Sequence, residues 1–264
     1  MTDINAVIQA YAAEAGFSDV FFLRPEKSTV VVSGLECDLP TNFPEYSCVV
    51  LLVYAYSPYD ESEYVPAYYI ASNKSYHAMK GLTEKLAETG IDARKIHIPV
   101  KAAAEAAGIG KRGKNTLLHT DKYGSRMVLH TLLVKGAVPK KYDLVPHDIC
   151  AGCSLCEKSC PSGAITGEGF IRERCIRNYM DDPPYPDFVS DNIHMYLGCD
   201  VCMRVCPYNA HLKIAEVPQS FRDALFPDRI LAGDVKPAKA ILGANISTGR
   251  LKADACAIQK NTKK

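Results

Sequence analysis

Ile149-Cys150-Ala-Gly-Cys153-Ser-Leu-Cys156-Glu-Lys-Ser-Cys160-Pro161 decides how this chain is read. Its spacing, C-x2-C-x2-C-x3-C-P, is that of a run in which three thiolates close on one iron cube and the fourth reaches to another. A second run, Cys199-Asp-Val-Cys202-Met-Arg-Val-Cys206-Pro207, holds three cysteines, and Cys175 stands alone between the two. Two 4Fe–4S clusters require four thiolates each, and Cys175 supplies the one the two runs lack. The swapped-ligand rule assigns Cys150, Cys153, Cys156 and Cys206 to a first cluster, and Cys160, Cys175, Cys199 and Cys202 to a second. Proline after Cys160 and Cys206 ends each short helix and turns the chain away from the cube. The competing reading is a zinc ribbon, which also uses C-x2-C pairs but closes each site with two of them rather than with a tight triple.

Composition sets the frame around this module. At 264 residues and 47% hydrophobic content, the chain can bury one large core or two unequal ones. Thirty-one basic residues against thirty acidic ones leave no overall field to attract nucleic acid or an anionic membrane. The start, MTDINAVIQAYAAEAG, lacks a basic segment followed by an apolar one. No stretch approaches the roughly 20 apolar residues of a membrane span. A reducing, cytoplasmic setting is the expectation, since exported thiols pair as disulfides. Of the other thiols, Cys48 and Cys256 read as small core residues and Cys37 as a loop residue.

Outward from the cysteines, three regions separate: 1–142, 143–215 and 216–264. In the first, Ile4, Val7, Ile8, Tyr11, Ala12 and Ala15 fall on one helical face ahead of Gly16. Residues 48–56 form a continuous apolar run rich in β-branched side chains, as in a central strand covered on both faces. A helix is expected after Ser75, with Met79, Leu82 and Leu86 on its stripe and Gly90 at its end. Further strands are expected near Lys95–Pro99 and over Met127–Val134, giving an α/β or α+β layer. In the second region, Asp181-Asp-Pro-Pro-Tyr-Pro-Asp-Phe188 reads as an extended loop, a flap over one cluster or a plain connector. The third region is a helical extension in which Leu251, Ala255 and Ile258 share a face, ending in a solvated and frayed basic tail, Lys260 to Lys264.

Gly108-Ile-Gly-Lys-Arg-Gly113 also satisfies the dinucleotide pattern G-x-G-x-x-G. It follows the alanine-rich helix 101–107 instead of a strand, and no helix-forming run opens behind it, so a nicotinamide site is not the preferred reading. Glycines here let backbone approach a bulky ligand, or simply form a turn.

Taken in order, Ser75-Tyr76-His77, Ala107-Gly108-Ile109-Gly110-Lys111-Arg112-Gly113-Lys114-Asn115-Thr116, Tyr123-Gly124-Ser125 and the cysteine layout with Arg174-Cys175-Ile176 resemble the epoxyqueuosine reductases, cobalamin-dependent enzymes of tRNA modification. More distantly, they resemble the reductive dehalogenases. The resemblance spans about residues 40–210 and implies an α/β (α+β) corrinoid-binding-like domain over 1–142, then a bacterial ferredoxin-like two-cluster module. It implies two 4Fe–4S clusters and a corrinoid (cobalamin), with Tyr76, His77, Gly110, Gly113, Lys114, Asn115 and Ser125 as candidate corrinoid-binding residues.

Two departures bear on activity. Where the family carries a proton-donating aspartate in a Val-Asp-Ser-Ala-Pro-like segment, this chain has Lys95-Ile-His-Ile-Pro99, leaving His97 as the candidate catalytic proton donor. The family's helical repeats beyond the clusters are not expected here, so extensive tRNA contact is not expected either, and a small-molecule or partner-protein substrate is. An electron donor such as a ferredoxin or flavodoxin is implied, and no membrane. The leading expectation is an oxidoreductase passing single electrons from the clusters to a corrinoid. The alternative is a non-catalytic electron carrier, or a reductive activator of a partner corrinoid protein.

Overall fold

A computed structural model describes residues 3–24, 29–32, 35–60, 63–145 and 148–262, with the backbone alone described at 29–32, 35–38 and 40. The chain divides into two compact units whose segments interleave. The first comprises Met1–Tyr56, Lys74–Arg112 and Leu117–Ile149, and the second Ser57–Asn73, Gly113–Thr116 and Cys150–Lys264. The sequence divides the chain into three parts; here the 216–264 stretch groups with the cluster stretch.

In the first unit, α1 (Ile4–Glu14) starts where the Asp3 carboxylate accepts the Ala6 N–H at 3.3 Å, and ends as Gly16 turns left-handed at φ +93°. Strands β1 (Asp19–Leu23), β4 (Cys48–Ala55), β5 (Ala93–Lys95) and β8 (Met127–Val134) form a sheet in the order β1-β4-β8-β5. Every pairing is antiparallel, with Cys48 opposite Val134 and Ala55 opposite Met127. The unit is therefore α+β. Cys48, Val50 and Leu52 of β4 enter one core with Ile8, Ala12, Met79, Leu82 and Leu86. Val49 and Leu51 enter a second core with Ile96, Ala104, Ile109 and Leu133. Two buried faces are why β4 reads as an unbroken apolar run instead of an alternating one.

Smaller elements complete this unit: the hairpin of β2 (Thr29–Val32) and β3 (Leu35–Asp38), α2 (Leu39–Asn42), α4 (Val100–Ala106), and the short pair β6 (Lys111–Arg112) and β7 (Leu118–His119). Cys37 lies in β3 rather than in a loop, and its side chain falls outside the described residues. The helix expected after Ser75 is α3 (Ala67–Glu88), which begins earlier because Pro66 opens it, its carbonyl accepting from Ile70 N–H at 3.2 Å. The strand expected near Lys95–Pro99 lies over β5 instead, though Ile96 N–H still donates to Thr131 O at 3.1 Å.

The second unit holds short helices around the cysteines: α5 (Leu155–Ser159), α6 (Asp187–Ser190) and α7 (Val201–Arg204). Beside them lie the small hairpin of β9 (Ile165–Thr166) and β10 (Gly169–Phe170) and four helices, α8 (Gln219–Ala224), α9 (Pro227–Leu231), α10 (Lys236–Leu242) and α11 (Thr248–Thr262). Leu251, Ala255 and Ile258 of α11 are buried in one core with Ile176, Tyr196, Leu197, Leu225 and Ile230. Two expectations are corrected here. Cys256 is exposed, because it lies on α11 off the stripe that Leu251, Ala255 and Ile258 bury. The basic tail is helical through Thr262, and Lys260 pairs with Asp191 at 2.7 Å. No described helix is long and apolar enough to cross a membrane.

Candidate metal centre

The eight cysteines singled out by spacing are all half-buried. Ser154 precedes α5, which carries Cys156, and Asp200 precedes α7, which carries Cys202. Cys160, Cys175 and Cys206 stand at helix ends in one extended conformation, with φ/ψ of −66°/114°, −73°/123° and −75°/121°. At Cys160 and Cys206 the following proline enforces that geometry. Cys175 reaches it without one, between the 3-10 turns Arg172–Arg174 and Ile176–Asn178.

The electrostatic neighbours of the thiols largely follow the two predicted sets, with Cys202 also feeling Cys156. Burial pushes the Cys156 thiol up, and repulsion from Cys150, Cys206 and Cys153 adds to it. Burial pushes Cys199 up to about 11, with Asp200, Cys175 and Cys160 contributing. Cys202 is raised further, first by burial and then by Cys199, Cys175, Cys156 and Cys160. The neighbours of Cys156 are thus the other three members of one predicted ligand set, and those of Cys199 and Cys202 include the rest of the other. Among the described residues no three His, Cys, Asp or Glu side chains converge as they would on a single ion. A cubane takes one thiolate at each iron corner and asks for no such convergence.

Amide donors surround the sulfurs. Lys114 N–H points at Cys150 Sγ at 3.4 Å, and Ala164 N–H at Cys160 Sγ at 3.3 Å. Burial alone raises the Cys160 thiol, but hydrogen bonds from the amides of Ser162, Ala164 and Ile165 and from the Ser162 hydroxyl together outweigh it and bring it below the ordinary value. Such N–H donors favour thiolate over thiol and help set a cluster's reduction potential.

The Gly113–Thr116 segment serves this centre. Lys114 Nζ donates to Cys153 O at 2.9 Å and to Glu157 Oε1 at 2.6 Å, and buried Asn115 donates to Cys202 O at 3.3 Å. Both side chains, read from sequence as donors to a corrinoid, are directed at the cysteine loops. Sequence reasoning missed this role because the pattern around Lys114 carries no sign of a partner so far along the chain.

The other candidates lie in the first unit. Tyr76 is 47% exposed on α3, with Lys95 Nζ 5.1 Å from its ring centre and the His77 ring beside it at 5.5 Å. His77 and His97 are exposed. Gly110 is buried, and a Cβ there would lie 2.5 Å from His119 O, so its missing side chain makes room for β7. Gly108, at φ +73°, makes room for Tyr142 O in the same way. No helix follows these glycines, in line with rejecting a nicotinamide site. Ser125 is buried, at 5% exposure. A half-buried residue that sequence did not signal is His130, whose Nε2 lies 2.8 Å from the Oγ of buried Ser75. A cavity of about 1020 Å³ opens over Val49, Ala103 and Tyr142, and none of the candidate corrinoid residues lines it.

Comparison with known proteins places this geometry. Residues 149–209 match the family described as 4Fe-4S double cluster binding domain. The epoxyqueuosine reductase of Listeria monocytogenes is 36% identical over 138 residues, 48% of this chain and 35% of that protein. That of Leadbetterella byssophila is 31% identical over 176 residues, 61% and 57% of the two chains. The match thus spans about a third of the first of these relatives. Among solved structures, epoxyqueuosine reductase from Bacillus subtilis superposes with a TM-score of 0.73 at 20% identity, covering 98% of this chain and 82% of that one. The catabolic reductive dehalogenase NpRdhA superposes at 0.56 and 16%, covering 97% and 35%. At these identities the structures show a shared fold.

Proposed function

We propose that this epoxyqueuosine reductase-like chain, whose residues 149–209 form a 4Fe–4S double cluster binding domain, is an iron–sulfur oxidoreductase that passes single electrons to a corrinoid for a reductive cleavage. The observation that carries the reading is the gathering of eight half-buried cysteines in one unit, with Cys156 repelled by the other members of the first set, Cys199 and Cys202 by members of the second, and backbone amides donating to Cys150 and Cys160. Four thiolates per set, without a competing ligand type, are the donors a 4Fe–4S cube takes. In this reading Cys150, Cys153, Cys156 and Cys206 hold the first cluster and Cys160, Cys175, Cys199 and Cys202 the second.

The chain's own residues then have distinct tasks. The amides of Lys114 and Ala164 stabilise charge on Cys150 and Cys160 when an electron arrives. Lys114 and Asn115 brace the loops that carry Cys153 and Cys202. A corrinoid, when bound, supplies the cobalt chemistry that breaks the substrate bond. Exposed Tyr76, His77 and His97 are the candidates that stay open to such a group, whereas Gly110 and Ser125 are enclosed by protein. His97 donates the proton that accompanies cleavage, from an imidazole exposed beside the buried Ile96. The relatives are named for epoxyqueuosine, one solved with a modified tRNA stem loop, and another structure of this fold is described as acting by B12-dependent dehalogenation. For this chain we propose a substrate that loses oxygen or a comparable leaving group, and a ferredoxin or flavodoxin as donor.

Anaerobically prepared protein mixed with hydroxocobalamin tests the reading. Co-elution with a shifted corrinoid spectrum is expected, and His97→Asn should keep cluster reduction while abolishing turnover. Passage of the corrinoid straight through a desalting column would remove it from the mechanism and leave an electron carrier.

A further inference from the structure

Leu197 adopts φ +63°, a left-handed conformation that a branched side chain seldom takes. It is fully buried, and it lies two residues before Cys199. Such a conformation persists only where its surroundings over-determine it, and here the surroundings are two side chains one turn apart on α11. The Asp254 carboxylate accepts the Leu197 N–H at 2.8 Å, and the Arg250 guanidinium donates to the Leu197 carbonyl at 3.2 Å. Both polar groups of one strained residue are therefore held by one helix.

The same two side chains reach further. Asp254, itself fully buried, also accepts from the Tyr185 hydroxyl at 2.9 Å. Arg250 pairs with Asp181 at 2.7 Å, and Asp181 pairs with Arg177 at 2.8 Å, two residues beyond Cys175. The Tyr69 ring lies against Gly198, where a Cβ would come within 3.1 Å of it, and faces the guanidiniums of Arg177 at 5.5 Å and Arg250 at 5.9 Å. Burial pushes the Asp254 carboxyl up to about 6 against its donors, so this carboxylate sits where water would be the easier environment.

We infer that Asp254 and Arg250 are positioning residues for the second cluster, clamping the Leu197 turn that presents Cys199 and bracing the turn that presents Cys175. The inference rests on the reading above that these two cysteines ligate that cluster. The first cluster serves as the internal control, since the clamp holds the stretches bearing Cys175 and Cys199.

The holoprotein and its variants are to be compared by electron paramagnetic resonance, by redox titration of each cluster and by iron release to a chelator. Asp254→Ala and Arg250→Met should release second-cluster iron about tenfold faster, the size expected for losing a buried hydrogen-bond partner, and shift that cluster's signal and potential. Asp254→Asn keeps an acceptor for the Leu197 amide and Arg250→Lys keeps a donor for its carbonyl, so both should restore slow release. Cys199→Ser separates the two levels of argument. If it removes one cluster while the clamp variants match wild type in release, signal and potential, the clamp is wrong and the ligand reading stands. If it leaves all iron in place, the ligand reading falls and the clamp with it. Equal loss of both clusters in every α11 variant, without rescue by the conservative pair, would also overturn the inference, because it would mark a general folding defect.

Discussion

Cys160, Cys175 and Cys206 share one extended backbone conformation at the end of a helical turn, and only two of them owe it to proline. Cys175 is the candidate ligand that completing the count singles out. Changing it to serine should lower iron from about eight toward about four per chain, the content of one intact cubane, as measured on anoxic preparations. Full iron retention would remove it from the ligand set. A second residue tests the first unit. Burial, helped by Lys95 and His97, drives His130 from 6.5 down to about 4, while Ser75 on α3 meets its Nε2. The folded state therefore binds fewer protons than the unfolded one between those values. The stability this residue contributes is complete above about pH 6.5 and is lost as pH falls toward about 4, on the order of 1–3 kcal/mol once partial solvent screening is allowed for. His130→Gln should flatten that acid limb in melts between pH 7 and about 5; an unchanged slope would contradict the assignment.

At the scale of elements, the turn from α4 into β6 shows how far a pattern carries. Its glycines are legible in the sequence, and so is the absence of a strand before them. What they make room for is not, because Tyr142 O and His119 O reach them through the fold. Gly108→Ala combines a left-handed φ with a Cβ 2.6 Å from backbone, and should destabilise the first unit by about 2–4 kcal/mol. Denaturant unfolding measures this, and a loss below about 1 kcal/mol would return these glycines to a ligand role. The strands β4 and β8 and the helix α1 were legible for the opposite reason, since a buried stripe or a doubly covered strand is written in local periodicity. The start of α3 was not, because Ala67-Tyr-Tyr-Ile70 precedes any clear stripe. Spacing suffices to propose the two cysteine sets, whereas the roles of Lys114, Asn115, Arg250 and Asp254 were not legible, their partners being set by tertiary contacts rather than by neighbours in sequence.

For the whole molecule, the decisive difference is the place of residues 216–264. Sequence made them an extension; the structure puts Leu251, Ala255 and Ile258 in the same core as Ile176 and Leu197. A chain ending at residue 247 should accordingly fail to hold the full iron content, while a single change at exposed Cys256 should leave it intact. Iron and sulfide analysis of the two proteins checks both statements.

The interleaving of Ser57–Asn73 and Gly113–Thr116 with the stretch from Cys150 onward has a consequence for biogenesis. A ribosome emits these early strips long before the thiols they will accompany, and α11, whose Leu251 and Ile258 share a core with Val65 and Ile70, follows all of those thiols. Stable seating of the clusters therefore awaits synthesis through α11, and excising the cysteine-bearing stretch as a contiguous fragment would leave behind parts of its own cradle.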